Sequence, residues 1–395
     1  MKVLHIGKYF PPYAGGMETY LRDLMAAQAR QGIDTAAVVH QSDITVKSQD
    51  ESYPAGDQQL PISRAAVWAR LLFTPISPTF PFLLNRLIKQ QQPDILHLHM
   101  PNVSVFWALF IPRARQVSWV VHWHADVLAS EHSLGLRLFC HLYRPFERAI
   151  LKRCKAIIAT SPPYLESSDP LKPYSEKCHV IPLGLDPTNL PRVEDISPTA
   201  SDAPLRVLAI GRLTYYKGFE YLIKAAAECE RVEIHFVGKG DQETALKALA
   251  GNLNLQTRIT FHGHLSPEQL AQQFSACDCL CLPSIERTEA FGMVLLEAMY
   301  HSKATVISNV SGSGMGWVVD DEITGLHFEP QNSQALRERL QYLASQRSRI
   351  SILGSNGRAK FEREFHIDKS SSRISAIYLE VNNTPSQSPK SIDQA

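Results

Sequence analysis

The run Thr288-Glu-Ala-Phe-Gly-Met-Val-Leu-Leu-Glu-Ala-Met299 sets two carboxylates, Glu289 and Glu297, eight residues apart around the start of an apolar helical pattern. A strand ending near Pro283 leads into the loop that holds Glu289; the helix begins near Phe291 or Gly292 and carries Glu297 within it. The amides of Phe291, Gly292 and Met293 are then donors at a helix start, a place that favours an anionic group. Gly292 lets a ligand approach bare backbone. A glycosidase acid/base pair needs carboxylates about 5–9.5 Å apart, whereas eight residues of helix rise about 12 Å. Two contacts to different parts of one long ligand suit the spacing better. A helix-capping Glu289 and a surface Glu297 would suit it as well.

Three further constellations follow apolar runs. In Gly211-Arg-Leu-Thr-Tyr-Tyr-Lys-Gly218, Arg212 and Lys217 bracket a strand-to-helix loop. Cations there can face a diphosphate, although two solvated charges would look the same. Pro11-Pro-Tyr-Ala-Gly-Gly-Met-Glu18 puts Gly15 and Gly16 between the first strand and its helix. That pair can admit a phosphate or sugar against backbone, or simply turn the chain. It departs from the G-x-G-x-x-G fingerprint, which counts against NAD. In Val121-His-Trp-His-Ala-Asp126, His124 and Asp126 lie past a strand, where they can reach a ligand or hydrogen-bond each other. His97 and His99 alternate on another strand and share a face. Without a third ligand at recognisable spacing, no zinc site is read there.

The elements that must hold these loops are legible as apolar runs. Val3 to Gly7 reads as a buried strand, followed by a helix from Met17 to Arg30 closed by Gly32, then a strand from Ala36 to Val39. Asp94 to His99, Ser118 to Val121 and Ala156 to Thr160 are further runs. Helical stretches separate several of them, the alternation of a parallel sheet covered on both faces. Pro187 to Pro204, rich in Pro, Ser, Thr and Asp, reads as a linker. The pattern then restarts with strands at Leu205–Ile210, Glu233–Val237, Ile259–Phe261, Cys279–Leu282 and Ala304–Ile307. Helices at Phe219–Cys229, Pro267–Ala276, Phe291–Tyr300, Ser333–Ala344 and Ile350–Phe365 complete it. Two such units imply a cleft with ligand loops at the carboxyl ends of the strands.

The 395 residues suit two domains. A composition of 44% hydrophobic and 20% charged residues with a net charge of +1 gives no case for nucleic acid as the main partner. The longest apolar run, Val105 to Ile111, falls short of the ~20 residues of a spanning helix, and Val3 to Ile6 is too short for an export signal. Seven cysteines show no C-x-x-C spacing. Cys277, Cys279 and Cys281 alternate along one apparent strand face and read as core thiols of a cytoplasmic protein.

Taken in order, these segments resemble the family 4 (group 1) retaining glycosyltransferases of GT-B fold, over roughly Val3 to Tyr378. The most specific part is E-x7-E, here Glu289 to Glu297. The family's paired cations match Arg212 and Lys217, its amino-terminal glycine loop matches Gly15 and Gly16, its active-site histidine matches His124, and its T-G-L element matches Thr324-Gly-Leu326. Trp317 stands where many members carry an acidic residue, and the chain looks like a branch that builds bacterial surface polysaccharides, many with GDP-linked donors.

The resemblance implies an α/β architecture of two Rossmann-like domains facing each other across a cleft. Residues 1–187 would form the acceptor-binding domain and 204–366 the nucleotide-sugar domain. A helix at 367–381 would pack back on the first domain, and 382–395 would be a disordered tail. The donor would be a GDP- or UDP-linked hexose, mannose among the candidates. Glu297 would hold the ribose hydroxyls, while Glu289 and the amides of Phe291, Gly292 and Met293 orient the transferred sugar. Arg212 and Lys217 would neutralise the leaving diphosphate without metal or cofactor. His124 would hydrogen-bond the donor sugar. Configuration would be retained by same-face attack, the leaving phosphate oxygen taking the acceptor proton.

No motif specifies the acceptor, expected to be a glycan or lipid-linked sugar of cell-envelope polysaccharide synthesis, lipopolysaccharide included. Leu134 to Lys155 carries Arg137, His141, Arg144, Arg148, Lys152 and Arg153 among apolar residues. This is either a basic face for anionic lipid at the inner side of the plasma membrane or a solvated helix packed on its own domain. A nucleotide-sugar 2-epimerase of the same fold would release free nucleotide and an altered sugar without any acceptor. A non-catalytic sugar-nucleotide-binding module would be expected to have lost a motif cation or glutamate, and all are present.

Overall fold

The computed structural model describes residues 1–71, 74–127, 134–191 and 203–383, with the backbone alone over 134–138. In chain order the first domain holds β1 (Lys2–Ile6), α1 (Gly16–Arg30), β2 (Asp34–His40), β3 (Gln49–Ala55), β4 (Gln58–Ala65), β5 (Ala69–Leu71), β6 (Thr74–Ile76), α2 (Phe80–Gln91), β7 (Ile95–Met100), β8 (Ser118–Trp123), α3 (Leu134–Arg153), β9 (Ala156–Ala159), α4 (Pro162–Ser167) and β10 (Cys178–Val180). Its main sheet runs β10-β9-β8-β7-β1-β2-β4-β3, parallel except for the β3–β4 hairpin at one edge. Every residue of β7 is buried, as a strand covered by helices on both faces requires.

The second domain holds β11 (Leu205–Ile210), α5 (Phe219–Ala227), β12 (Val232–Val237), α6 (Glu243–Asn252), β13 (Ile259–Phe261), α7 (Pro267–Ala276), β14 (Cys279–Leu282), α8 (Met293–Tyr300), β15 (Ala304–Ser308), α9 (Met315–Val318), β16 (Gly325–Phe328), α10 (Ser333–Ser345) and α11 (Arg347–Lys360). Its sheet, β13-β12-β11-β14-β15-β16, is wholly parallel. Local chemistry fixes several boundaries. Ser266 and Gln269 form a reciprocal capping box at the start of α7, with Pro267 where its missing N–H costs nothing.

Past a π turn at Phe361–Phe365, α12 (Ile367–Asn383) returns to the first domain. Leu185 N–H donates to Phe365 O at 3.0 Å and Ile367 N–H donates to Leu185 O at 3.1 Å, so the two interdomain segments are stitched together. Ile374, Ile377 and Tyr378 join Tyr20, Leu24 and Ala27 of α1 in one apolar cluster. Arg30 pairs with Asp368 at 2.9 Å beside it.

Several expectations change in detail. Asn382 and Asn383 belong to α12, and 384–395 lie outside the described residues. Of the Pro187–Pro204 linker, Pro187–Asn189 forms a short 3-10 turn, while 192–202 also lie outside the described residues. Cys277 precedes β14 and packs in a different apolar cluster from Cys279 and Cys281, so the three thiols do not share one face. The helical spacing of Leu134 to Arg153 gives α3, which carries Pro145 in its interior.

Candidate active site

α8 starts at Met293, slightly later than its apolar pattern indicates, because Gly292 caps it in the left-handed region at φ 81°. A Cβ there would also lie 2.8 Å from Leu295 Cδ1, so both conformation and space require glycine. The N-caps of α8 and α1 are Gly292 and Gly15, so neither supplies a capping side chain; at α1 the Glu18 carboxylate folds back over Gly15 and accepts from its own amide. These two helix starts meet across the cleft: a Cβ on Gly16 would stand 3.1 Å from Met293 Cγ. The glycine loop of one domain therefore lies against the first turn of the other domain's motif helix.

Lys217 is buried at the end of its loop and forms an ion pair with Glu289. Gly211, at φ 148°, makes room for it, since a Cβ there would sit 3.0 Å from Lys217 Cε. An ammonium has three donors, so pairing with Glu289 does not exhaust Lys217. Arg212 is exposed. Its charge still reaches Glu18 of α1, helping to offset the upward push that burial gives the Glu18 carboxyl. Glu297 is partly buried on α8. Burial raises its carboxyl to about 7, the Asp23 carboxylate of α1 adds to the rise, and Arg22 opposes it.

His124 and Asp126 do not pair. Asp126 Oδ1 accepts from Trp123 Nε1 at 2.8 Å and from Ser168 Oγ at 2.7 Å, while Oδ2 accepts from Arg287 of the second domain at 2.7 Å. Asp126 is thereby satisfied as an anchor between domains. His124 Nε2 instead lies 3.0 Å from His99 Nδ1. Strand register explains why: His5 is opposite His97, and His99 opposite His122, on adjacent parallel strands. Five buried imidazoles, His5, His97, His99, His122 and His124, thus stand together, and the third and later partners of His97 and His99 come from β1 and β8 and the loop after β8. Burial lowers His5 to about 4 and His124 to about 3, which keeps both neutral near pH 7.

Trp317 is partly buried against Phe365, ring centroids 5.8 Å apart, and its carbonyl accepts from Lys360 Nζ at 2.9 Å. Thr324 is buried, and Gly325 and Leu326 open β16, away from the loops just described. Beside the glycine loop, a cavity of about 380 Å³ is lined by Pro12, Gln41, Ser42, Tyr53 and Arg64 among others. Nothing in the sequence singled it out, because its wall is the edge hairpin β3–β4.

Sequence comparison agrees with this architecture. "Glycosyl transferases group 1" matches residues 194–360, and "Glycosyl transferase 4-like domain" matches 15–184. O-antigen chain mannosyltransferase C of Escherichia coli is 30% identical over 377 residues, covering 93% of this chain and 95% of that protein. The chain belongs to the group 1 glycosyltransferases. Another relative of this group 1 glycosyltransferase, D-rhamnosyltransferase WbpZ of Pseudomonas aeruginosa, is 28% identical over 371 residues, 92% of each chain. Among solved structures, sucrose-phosphate synthase of Thermosynechococcus elongatus superposes with a TM-score of 0.77 at 23% identity, over 96% of this chain and 98% of that one. HepE of Anabaena in complex with UDP gives 0.72 at 20% identity, over 96% and 100%. The group 1 glycosyltransferase therefore has the GT-B fold expected from its motifs.

Proposed function

We propose that this glycosyltransferase transfers a hexose, mannose foremost, from a nucleoside-diphosphate sugar to a glycan or lipid-linked acceptor of cell-envelope polysaccharide. The observation that carries the reading is the meeting of two helix starts with glycine N-caps, at Gly15–Gly16 and Gly292–Met293, in the cleft that also holds Lys217, Glu289 and Arg212. Aligned amides and two cations form a cradle for a diphosphate, and developing negative charge on the leaving group is stabilised there without a divalent ion. Glu297 takes the ribose hydroxyls, Glu289 and the α8 amides the transferred sugar, and His124 a sugar hydroxyl. The acceptor enters from the first domain, where the cavity at Tyr53 and Arg64 lies beside the glycine loop. Attack on the donor's own face then lets a phosphate oxygen take the acceptor proton, with retention.

The O-antigen relative, a mannosyltransferase by name, supports mannose as the transferred sugar, with GDP-mannose the first donor to test. Thermal-shift measurements with GDP-, UDP- and ADP-sugars in EDTA test this, since a ligand of the folded state raises its apparent stability. A rise with GDP-mannose and transfer to a mannosyl acceptor are expected. No shift with any nucleotide sugar would refute the donor reading. Release of an altered free sugar without acceptor would point to an epimerase.

A cytoplasmic enzyme working at the inner membrane face fits part of the surface. No helix among the described residues is long and apolar enough to cross a membrane. The surface near α3 exposes Trp107, Phe110, Leu142 and Phe146, with Phe110 and Phe146 rings 6.1 Å apart. Arg113, Arg148 and Lys152 are exposed on the same domain. Aromatic and basic side chains together suit an anionic lipid interface. The basic stretch is not one free face, however. Arg144 turns inward to Glu147 at 2.7 Å, and Arg153 lies over the Trp119 ring at 4.6 Å. The Arg137 side chain lies outside the described residues.

A further inference from the structure

The buried histidines form a directional chain. Gln28 Oε1 lies 2.8 Å from His5 Nε2, His5 Nδ1 lies 3.1 Å from His99 Nε2, and His99 Nδ1 lies 3.0 Å from His124 Nε2. Gln28 is itself oriented, because its Nε2 donates to Tyr378 Oη at 3.0 Å and Tyr378 Oη lies against His97 Nδ1. A neutral imidazole has one N–H and one lone pair, so fixing one end of such a chain fixes every ring. The Gln28 carbonyl must receive a proton donor, hence His5 carries its hydrogen on Nε2. His5 Nδ1 is then an acceptor, which places the hydrogen of His99 on Nε2. The same step repeated gives His124 an Nε2–H and leaves its Nδ1, a buried atom without a partner, as a lone pair.

We infer that Gln28, His5 and His99 are positioning residues that hold His124 in its Nε2–H tautomer, so that Nδ1 can accept a hydrogen bond from a hydroxyl of the transferred sugar. The sugar contact rests on the function proposed above; the tautomer does not. A transition metal is the competing use of such a cluster, since two overlapping triads, His5–His97–His99 and His99–His122–His124, each bring ligand atoms within 4.8 Å of one another. The ring planes oppose it. His122 and His124 stack at 4.4 Å with planes 3° apart, and His99 is tilted only 12° and 15° from them. Lone pairs lie in the ring planes, so those of the face-to-face His122 and His124 run side by side rather than converge on one ion. Two of the nitrogens are already spent on the His99–His124 contact, and in the other triad both nitrogens of His5 are spent on Gln28 and His99.

Long-range nitrogen–proton NMR of the full chain labelled with nitrogen-15 histidine reads the tautomer directly. The His124 signals are assigned by their loss in His124→Gln. Wild type is expected to show His124 protonated on Nε2 only; protonation on Nδ1 overturns the inference. Gln28→Met removes the anchoring acceptor at similar size. It is expected to mix the His124 tautomers and to lower kcat about tenfold with donor affinity within about twofold. Unchanged tautomer and kcat in that variant would remove Gln28 from the chain. If it fails to fold, the wild-type spectrum still decides. Zinc titration should leave the histidine spectrum unaltered, and stoichiometric uptake with loss of the Nε2–H signals would also overturn it. If His124→Ala keeps full transfer activity, the sugar contact is wrong while the tautomer result stands.

Discussion

Arg287 and Asp126 join the two domains beside the cleft, Nη2 to Oδ2 at 2.7 Å, with only 2% of the Asp126 side chain exposed. The same guanidinium donates from Nη1 to Ser167 O at 3.0 Å and lies over the Tyr164 ring at 4.7 Å. One planar fork thus reaches two acceptors of the first domain from two separate nitrogens while its face lies on the Tyr164 ring, a geometry that the single ammonium of a lysine does not reproduce. Arg287→Ala leaves a buried carboxylate short of its cation and should cost about 3 kcal/mol. Arg287→Lys should recover less than half of the loss. Chemical denaturation checks both, and scattering should show a larger radius of gyration for Arg287→Ala if the pair holds the cleft closed.

Transfer should survive chelation. Arg212 and Lys217 supply positive charge at the proposed diphosphate site, and the sequence of the second domain contains no D-x-D run. Activity in excess EDTA is expected to match that in magnesium or manganese. Loss on chelation with recovery on adding either metal would refute a metal-independent mechanism.

The two motif glutamates should separate kinetically. Glu289→Ala, which also unpairs Lys217, is expected to lower kcat on the order of 100-fold, as removal of a group acting in the transition state does. Glu297→Ala should chiefly weaken nucleoside diphosphate binding, about tenfold or more. Calorimetry with the nucleoside diphosphate, alongside single-turnover transfer, distinguishes them. Equal effects of both variants on that affinity would reject the assignment.

The raised Glu297 carboxyl gives a pH signature. Its folded value of about 7 lies above the ordinary carboxyl range, so the folded state binds a proton more tightly than the unfolded chain. The associated stabilisation is complete below the ordinary carboxyl range and is lost as pH rises through about 7. Relative to Glu297→Gln, wild type should lose melting temperature between pH 5 and pH 8. Parallel curves for the two proteins would show that Glu297 ionises normally.

Among the basic residues of α3, binding to anionic vesicles should depend on the outward-facing cations rather than on Arg144 or Arg153. Arg148→Glu with Lys152→Glu is expected to abolish flotation at low salt, at about 1 kcal/mol per well-placed cation. Phe110→Ser should weaken it without changing salt sensitivity. If wild type does not float with anionic lipid at low salt, a soluble acceptor is the better reading.

Much of this architecture could be read from local pattern, for reasons visible in particular segments. Cys279–Leu282 is buried on both faces and appears as a continuous apolar run, and Leu205–Ile210 is interrupted only by the exposed Arg206. The loops that follow them carry the Gly, Arg, Lys and Glu residues that make the cleft. The hairpin β3–β4 escaped notice because Gln49–Ala55 is largely exposed and polar, with no apolar run to mark it. The histidine chain escaped for another reason. His97 and His99 show their shared face in sequence, but their contacts depend on β7 lying between β1 and β8, a matter of strand order rather than spacing. The same limit hid the Lys217–Glu289 pair, which joins loops 72 residues apart.

The stitch between Leu185 and the Phe365–Ile367 segment has a mechanical consequence. The chain leaves the first domain and returns to it through one backbone-bonded spot, where a Cβ on Gly184 would fall 2.7 Å from Ile367 Cα. With the Arg287–Asp126 bridge released, domains joined at this stitch can pivot but cannot slide. Travel of the Gly292 loop away from the Gly16 loop is therefore an arc whose length grows with distance from that pivot. Small angular changes there would become the full stroke at the mouth, and the amides of Leu185 and Ile367, bonded at the stitch, would stay protected from solvent exchange through such a motion.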